Sequence, residues 1–224
     1  MPEYNTKDIL YNGIDNTFLS LISDKINVLI IGGGRAGFIK AKTFSKNGCN
    51  VTVLSKEFCE EFKGICNLHN VKLIKEKYKK EYILNNHLII IAVNDEKVNS
   101  LVKTHCNELF KLYLDCTNFK KGLFVVPCQR NTGAISFGIN TKGGSPKTSR
   151  YLAGKVNKVL YEYNSFVEYN CSLRNRVKDF YNKDEIMKFV ASDDFYFFYK
   201  KNQHENILKM FYYGGDGFEI NSCY

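Results

Sequence analysis

The sequence predicts an α/β protein: a parallel sheet covered by helices, then a small β segment, then a helical C-terminal region. Three observations predict it. Short apolar runs, such as "VLII" at 28–31 and Leu88–Val93, read as strands buried on both faces. Between them, apolar residues recur at helical spacing, which gives β-α-β-α-β order. After Asp115 that alternation stops, and from Thr148 onward the helical period dominates.

Residues 1–16 read as an irregular extension, and Phe18–Ile22 as a short edge strand or packed loop. Ile26–Ile31 is the first strong strand. Ala36–Asn47 carries apolar residues at 38, 39, 41 and 44, which suits a helix lying on a sheet, and Gly48 stops it. Val51–Leu54 is the second strand, Glu57–Phe62 a short helix and Val71–Ile74 the third strand. His87–Val93 is the fourth. Residues 95–109 form a helix with Val98, Leu101, Val102, Cys106 and Leu109 on one face, and Lys111–Leu114 is a fifth strand. Crossovers between these strands are right-handed.

Beyond Asp115, Leu123–Val126 and Ala134–Ile139 read as two strands joined by "PCQRNTG", followed by the polar loop "NTKGGSP". Helices are expected at 148–163, 165–181 and 183–200, and "FYYGGDGFEINSCY" as a loose tail. Four parts result: an extension (1–16), a nucleotide-type α/β domain (17–115), a β segment (116–147) and a helical domain (148–224). Two strands cannot bury their own face. A second copy of the chain is the natural partner for this segment, which makes it a dimerisation element.

The 224 residues are 44% hydrophobic, enough for a packed core, and carry a formal charge of +9. That charge suits an acidic small molecule. Scarce arginine and the lack of five consecutive basic residues weigh against nucleic acid. The apolar runs are too short to cross a bilayer, and residues 1–17 do not resemble a signal peptide. A cytoplasmic protein with no membrane partner is expected. None of the eight cysteines forms C-x-x-C, and Cys66 with His69 lacks a second pair, so reduced thiols and no metal site are expected. His69, His87, His105 and His204 are expected to be structural or surface residues.

"VLIIGGGRAG" puts Gly32, Gly34 and Gly37 on G-x-G-x-x-G spacing, between a buried strand and a helix. In a dinucleotide site the first glycine makes the turn, the second admits the pyrophosphate and the third lets helix and strand pack closely. A Rossmann-like domain follows, with a purely structural turn as the alternative. An acidic residue at the end of the second strand usually holds the ribose of NAD. Here "VTVLSKE" offers Ser55 and Lys56 instead. The serine suits the ribose, the lysine suits the extra phosphate of NADP, and this stretch alone leaves the choice open. Asp115 ends a strand at the carboxyl edge of the sheet, where such sites form, although a turn-capping aspartate is the plain alternative. Asn94 is placed to touch the nicotinamide ribose, whereas Asp95 reads as the cap of the next helix.

Four stretches, in order, resemble the precorrin-2 dehydrogenase family, whose unit also opens siroheme synthases. They are "VLIIGGGRAGFIKAKTFSKNGCNVTVLSKE", "IIIAVNDEKVN", "LYLDCTN" and "NTKGGSPKTSRYL". Coverage runs from about residue 18 to 160, and the last two stretches are the specific ones. Val93 stands where the family has threonine, Tyr113 replaces the usual asparagine region, and Asn140 replaces a serine. About two residues are inserted between Asp115 and Pro127.

The resemblance implies a homodimeric enzyme that oxidises precorrin-2 to sirohydrochlorin with NAD, in siroheme or cobalamin synthesis. It implies cofactor contacts at Gly32, Gly34, Arg35, Ala36, Gly37, Ser55, Val93 and Asn94. Asp115 becomes the catalytic group, as general base or as the orienter of pyrrole nitrogens. Thr141, Lys142, Ser145, Lys147 and Arg150 become contacts for the acidic tetrapyrrole. Some family members also insert ferrous iron, so a bifunctional dehydrogenase and ferrochelatase is one alternative. A nucleotide-sensing regulatory module is another, disfavoured because no basic recognition helix stands out.

Overall fold

The computed structural model describes residues 15–213, in two units that divide between Val126 and Pro127. The first holds a five-stranded sheet: β1 (Asn27–Ile31), β2 (Asn50–Ser55), β3 (Val71–Lys75), β4 (Leu88–Ile91) and β5 (Leu112–Asp115). Their order is β3-β2-β1-β4-β5, and every neighbouring pair is parallel. The order reverses between β1 and β4, the place where ligands bind in open sheets of this kind. Helices α1 (Arg35–Lys46), α2 (Glu81–Leu84) and α3 (Glu96–Glu108) make the connections.

Alternate strand residues feed opposite layers, as the two-residue period requires. Val28, Ile30, Val51, Val53 and Ile90 pack with Ala41, Phe44 and Phe62. Leu29, Ile31, Leu54, Ile89 and Ile91 pack with Ile83, Val102 and Cys106. The five predicted strands all form, with ends shifted by a residue or two. Among the predicted inward residues, Ile39 and Leu101 are exposed. Each stands one residue beyond the strip its helix turns to the sheet.

Three expectations are corrected here. Phe18–Ile22 is irregular chain, with Phe18, Leu19, Leu21 and Ile22 exposed: it pairs with neither edge strand, β3 nor β5, and buries no apolar face that would hold it there. The helix expected at Glu57–Phe62 is a short 3-10 turn, Glu60–Gly64. Its start is tied back to the glycine turn, Cys59 N donating to Gly33 O at 2.9 Å. Phe62 and Ile65 both enter the core, so only one turn fits between them. Leu123–Val126 is not a strand: Phe124 and Val126 pack on the sheet core, and Leu123 N donates to Tyr113 O at 2.8 Å.

The second unit holds the antiparallel hairpin β6 (Cys128–Asn131) and β7 (Ser136–Ile139), so β6 lies inside the stretch read as the connecting loop. Gly133, with φ of 114°, makes the turn, and Thr132 N donates to Ile135 O at 2.9 Å. That glycine and that hydrogen bond set the register from the turn outward. Five helices follow: α4 (Pro146–Tyr161), α5 (Asn164–Arg176), α6 (Lys183–Val190), α7 (Asp193–Lys200) and α8 (His204–Tyr212). The single helix expected at 183–200 breaks at Ser192, whose hydroxyl accepts from Phe195 N and caps α7. Leu173, Val177, Ile186, Val190, Phe195 and Leu208 form the core of this bundle. Most of the predicted loose tail lies outside the described residues. No described helix is long and apolar enough to cross a membrane.

Candidate dinucleotide and carboxylate site

The glycine turn sits where β1 hands over to α1, at the carboxyl edge of the sheet. Gly32 has φ of 121°, a conformation that favours glycine, and a Cβ there would lie 2.2 Å from Ala92 O. A Cβ on Gly37 would lie 2.0 Å from Gly32 O, so α1 packs onto the turn itself. Gly34 is different: it is exposed, and a Cβ there meets nothing within 4 Å. Two glycines are therefore required by the protein, and the third faces open space. Gly34 also occupies the N-cap of α1, where no side chain caps the helix and no acidic residue lies in the first turn. The N–H groups of that turn point their positive field outward, the arrangement that takes a pyrophosphate. Arg35 and Ala36 are exposed beside it. Ser55 closes β2, and Val93 and Asn94 follow β4, so these eight residues share one edge of the sheet.

Asp115 ends β5 at the same edge. It is 1% exposed, the most buried acidic group among the described residues. Its Oδ1 accepts from Thr117 N (2.8 Å), Thr117 Oγ1 (2.6 Å), Asn118 N (3.2 Å) and Asn99 Nδ2 (3.4 Å). Its Oδ2 pairs with the Lys103 ammonium. Burial by itself raises such a carboxyl, but the Lys103 bond and the donors of Thr117 and Asn118 outweigh it. The group is held well below the ordinary aspartate range. Asp115 is therefore ionised, capped and paired. Asp95 Oδ1 accepts from Lys97 N (2.9 Å) and Val98 N (3.2 Å), the expected cap of α3.

The remaining predicted residues gather in the second unit, around the start of α4. Ser145 is its N-cap, accepting from Thr148 N, with Pro146 as the first helical residue. Ser145 N donates to Thr141 Oγ1 at 2.8 Å, so threonine and serine build the turn together. Lys147 and Arg150 project from the first turns of α4, with Arg150 Nε donating to Pro146 O at 3.3 Å. Lys142 is exposed in the loop before them. No acidic residue stands in that first turn, so basic side chains and helix field have the same sign.

The family described as "Putative NAD(P)-binding" matches residues 19–128 of this chain. Precorrin-2 dehydrogenase of Priestia megaterium is 28% identical over 149 residues, 65% of this chain and 73% of that one. Precorrin-2 dehydrogenase of Bacillus subtilis (strain 168) is 28% identical over 63% of this chain and 87% of its own. Over about two thirds of its length the chain is similar to precorrin-2 dehydrogenases. Siroheme synthase of Buchnera aphidicola is 27% identical over 60% of this chain, which spans only 28% of that longer protein. In fold, the chain is similar to the solved structure of SirC, a precorrin-2 dehydrogenase, with a TM-score of 0.67 and 21% identity. That likeness covers 87% of this chain and all of the other (100%). The match and the open, uncapped glycine turn agree on a nicotinamide dinucleotide as the ligand.

Sequence reasoning missed the groups that hold Asp115: Asn99, Lys103, Thr117 and Asn118. One signal was available. Asp95, Asn99 and Lys103 recur every four residues and place a polar stripe beside the apolar Val98, Val102 and Cys106. A buried amide and an ammonium on the sheet-facing side of a helix need a partner.

Proposed function

We propose that this chain oxidises precorrin-2 to sirohydrochlorin, with NAD as the hydride acceptor. The observation that carries the reading is the conjunction, on one sheet edge, of a glycine turn open at Gly34 and a buried carboxylate at Asp115. The uncapped first turn of α1 holds the pyrophosphate, Ser55 meets the ribose, and Val93 and Asn94 lie along the nicotinamide half. When bound, the dinucleotide supplies the hydride acceptor. The chain supplies position. Asp115 Oδ1 is committed to the 116–118 turn, so a substrate contact would fall to Oδ2, the oxygen it already shares with the Lys103 ammonium. A carboxylate held so firmly in its charged form is a weak proton acceptor, and its use is to orient the pyrrole N–H groups of the substrate. Lys142, Lys147 and Arg150 answer the acidic side chains of a tetrapyrrole, around the turn built by Thr141 and Ser145.

The second unit is the dimer-forming part. The hairpin has only two strands, and α4 exposes Leu152, Val156 and Val159 at helical spacing, a stripe that a second copy would cover. Sedimentation at rising concentration should show a dimer, and Val156→Asp should leave monomers.

The deciding experiment is anaerobic incubation with freshly made precorrin-2, with NAD, with NADP and with neither, followed by visible spectroscopy. Sirohydrochlorin formed with NAD is the expected result. Dinucleotide binding without conversion would overturn the reading.

A further inference from the structure

Among the described residues, Lys103 is the one basic group bonded to Asp115. It stands two turns into α3, and its side chain is 18% exposed against 1% for its partner. Asn99, one turn earlier on the same helix face, reaches the other oxygen. The pair is thus a built feature: one helix delivers an amide and an ammonium to the two oxygens of a single carboxylate. Burying a carboxylate this completely is costly without a compensating charge. A cap at the end of a strand needs only Oδ1, which the 116–118 turn already fills. The Oδ2 partner is an addition that capping does not explain.

We propose that Lys103 is a positioning residue of this site: its ammonium fixes Asp115 in one orientation and as a carboxylate, so that Asp115 works as a fixed anion and not as a proton acceptor. The inference rests on the reading of the site as a dehydrogenase centre. The groups around Asp115 agree with it. From α3 come Lys103 and the neutral Asn99, from the following turn Cys116, Thr117 and Asn118, and from β4 the apolar Ile91. The Cys116 thiol is pushed up by burial, with Lys40 of α1 acting against that, so Cys116 stays neutral beside the carboxylate. Lys103 is therefore the cation that holds the charge on Asp115. The proton released with hydride transfer then leaves through the substrate and solvent.

The test uses the full chain and two independent readouts. Carboxyl-carbon NMR, with Asp115→Asn to assign the signal, follows protonation of Asp115 without any turnover. In the wild-type chain the signal should stay flat through pH about 4, where ordinary aspartates titrate. Lys103→Met should bring the midpoint up by about one pH unit or more, and Lys103→Arg should not. A wild-type signal that titrates at the ordinary value overturns the proposal without any variant. So does a Lys103→Met signal as flat as wild type. In turnover with precorrin-2, Lys103→Met should lower kcat about tenfold or more with little change in KM, and Lys103→Arg should restore it. A rise in KM alone would make Lys103 a substrate contact and overturn the positioning role. If the wild-type chain fails to oxidise precorrin-2, the dehydrogenase reading fails, while the NMR titration still decides whether Lys103 fixes the carboxylate.

Discussion

The two edges of the parallel sheet are made from opposite materials. At the amino edge, asparagine side chains satisfy backbone carbonyls and, in one case, another side chain. Asn50 Nδ2 donates to Asn27 Oδ1 (3.3 Å) and Asp24 O (3.3 Å), and Asn27 Nδ2 to Asn85 O (3.0 Å). Asn70 Nδ2 donates to Ser45 O (2.9 Å) and Cys49 O (3.0 Å), and Asn86 Nδ2 to Tyr82 O (2.7 Å). At the carboxyl edge, backbone is left open: α1 begins on an uncapped glycine with nothing within 4 Å of where a Cβ would stand. A groove of about 450 Å³ lies at the amino edge, lined by those same asparagines. That hollow is thus a finished one. Satisfied side chains mark architecture, and unsatisfied backbone marks the place prepared for a ligand.

The glycines give the largest effect and the sharpest contrast. Gly37→Ala drives a methyl to 2.0 Å from Gly32 O, so helix or strand must shift. A loss of about 3 kcal/mol or more is expected, read as a lower urea midpoint. Gly34→Ala adds the same methyl into open space, and the midpoint should hold. Its dinucleotide affinity should fall about tenfold or more, because the backbone no longer approaches a pyrophosphate. Equal loss of stability in both variants would erase the distinction between a packing glycine and a ligand-facing one.

Acid tests the exception at the carboxyl edge, the fully satisfied Asp115. Its folded carboxyl lies below its unfolded value, so it contributes stability that is complete above pH about 4 and lost as pH falls below that. The contribution is roughly 2 kcal/mol or more, because the group is buried and paired. Wild-type stability should therefore fall more steeply below pH 4 than that of Asp115→Asn, which has no such proton to take up. Parallel acid profiles would show that the ion pair contributes little.

How much of this was legible in the sequence follows from the same division. The five strands, the glycine turn and the placement of Asp115 at a strand end were readable, because buried parallel strands write continuous apolar runs and glycine spacing is fixed by backbone. β6 was not. "CQRN" has no apolar signature, and its pairing is imposed by the Gly133 turn, while the apolar Leu123–Val126 serves the sheet core without being a strand. The partners of Asp115 were half legible. Asn99 and Lys103 lie on a readable helical stripe, but which carboxylate they meet depends on how α3 crosses to β5, a long-range fact.

The amino edge is tested by Asn70→Ala. It removes two hydrogen bonds and leaves the Ser45 and Cys49 carbonyls without that amide. A loss of about 1–2 kcal/mol is expected. Dinucleotide affinity should not change, since the residue stands at the opposite end of the strands. A drop in affinity would mean that the two edges are coupled through β2 and β3, and the contrast between finished and open edges would fail.

The smallest effect belongs to Ser145, and it asks whether a satisfied side chain can also serve a ligand. Its hydroxyl caps α4 and shares a 2.8 Å hydrogen bond with Thr148 Oγ1. Ser145→Ala should cost about 1 kcal/mol, the usual value of an N-cap, visible as a modest fall in Tm. Ser145→Asn keeps a capping oxygen and should recover most of it. If the turn only shapes the loop, KM for the tetrapyrrole follows stability and returns to normal in the asparagine variant. We expect instead that KM stays raised several-fold in both, because a longer amide cannot occupy the volume of a serine hydroxyl beside Thr141. A normal KM in Ser145→Asn would place Ser145 with the asparagines of the amino edge: a side chain whose bonds are all spent on the fold.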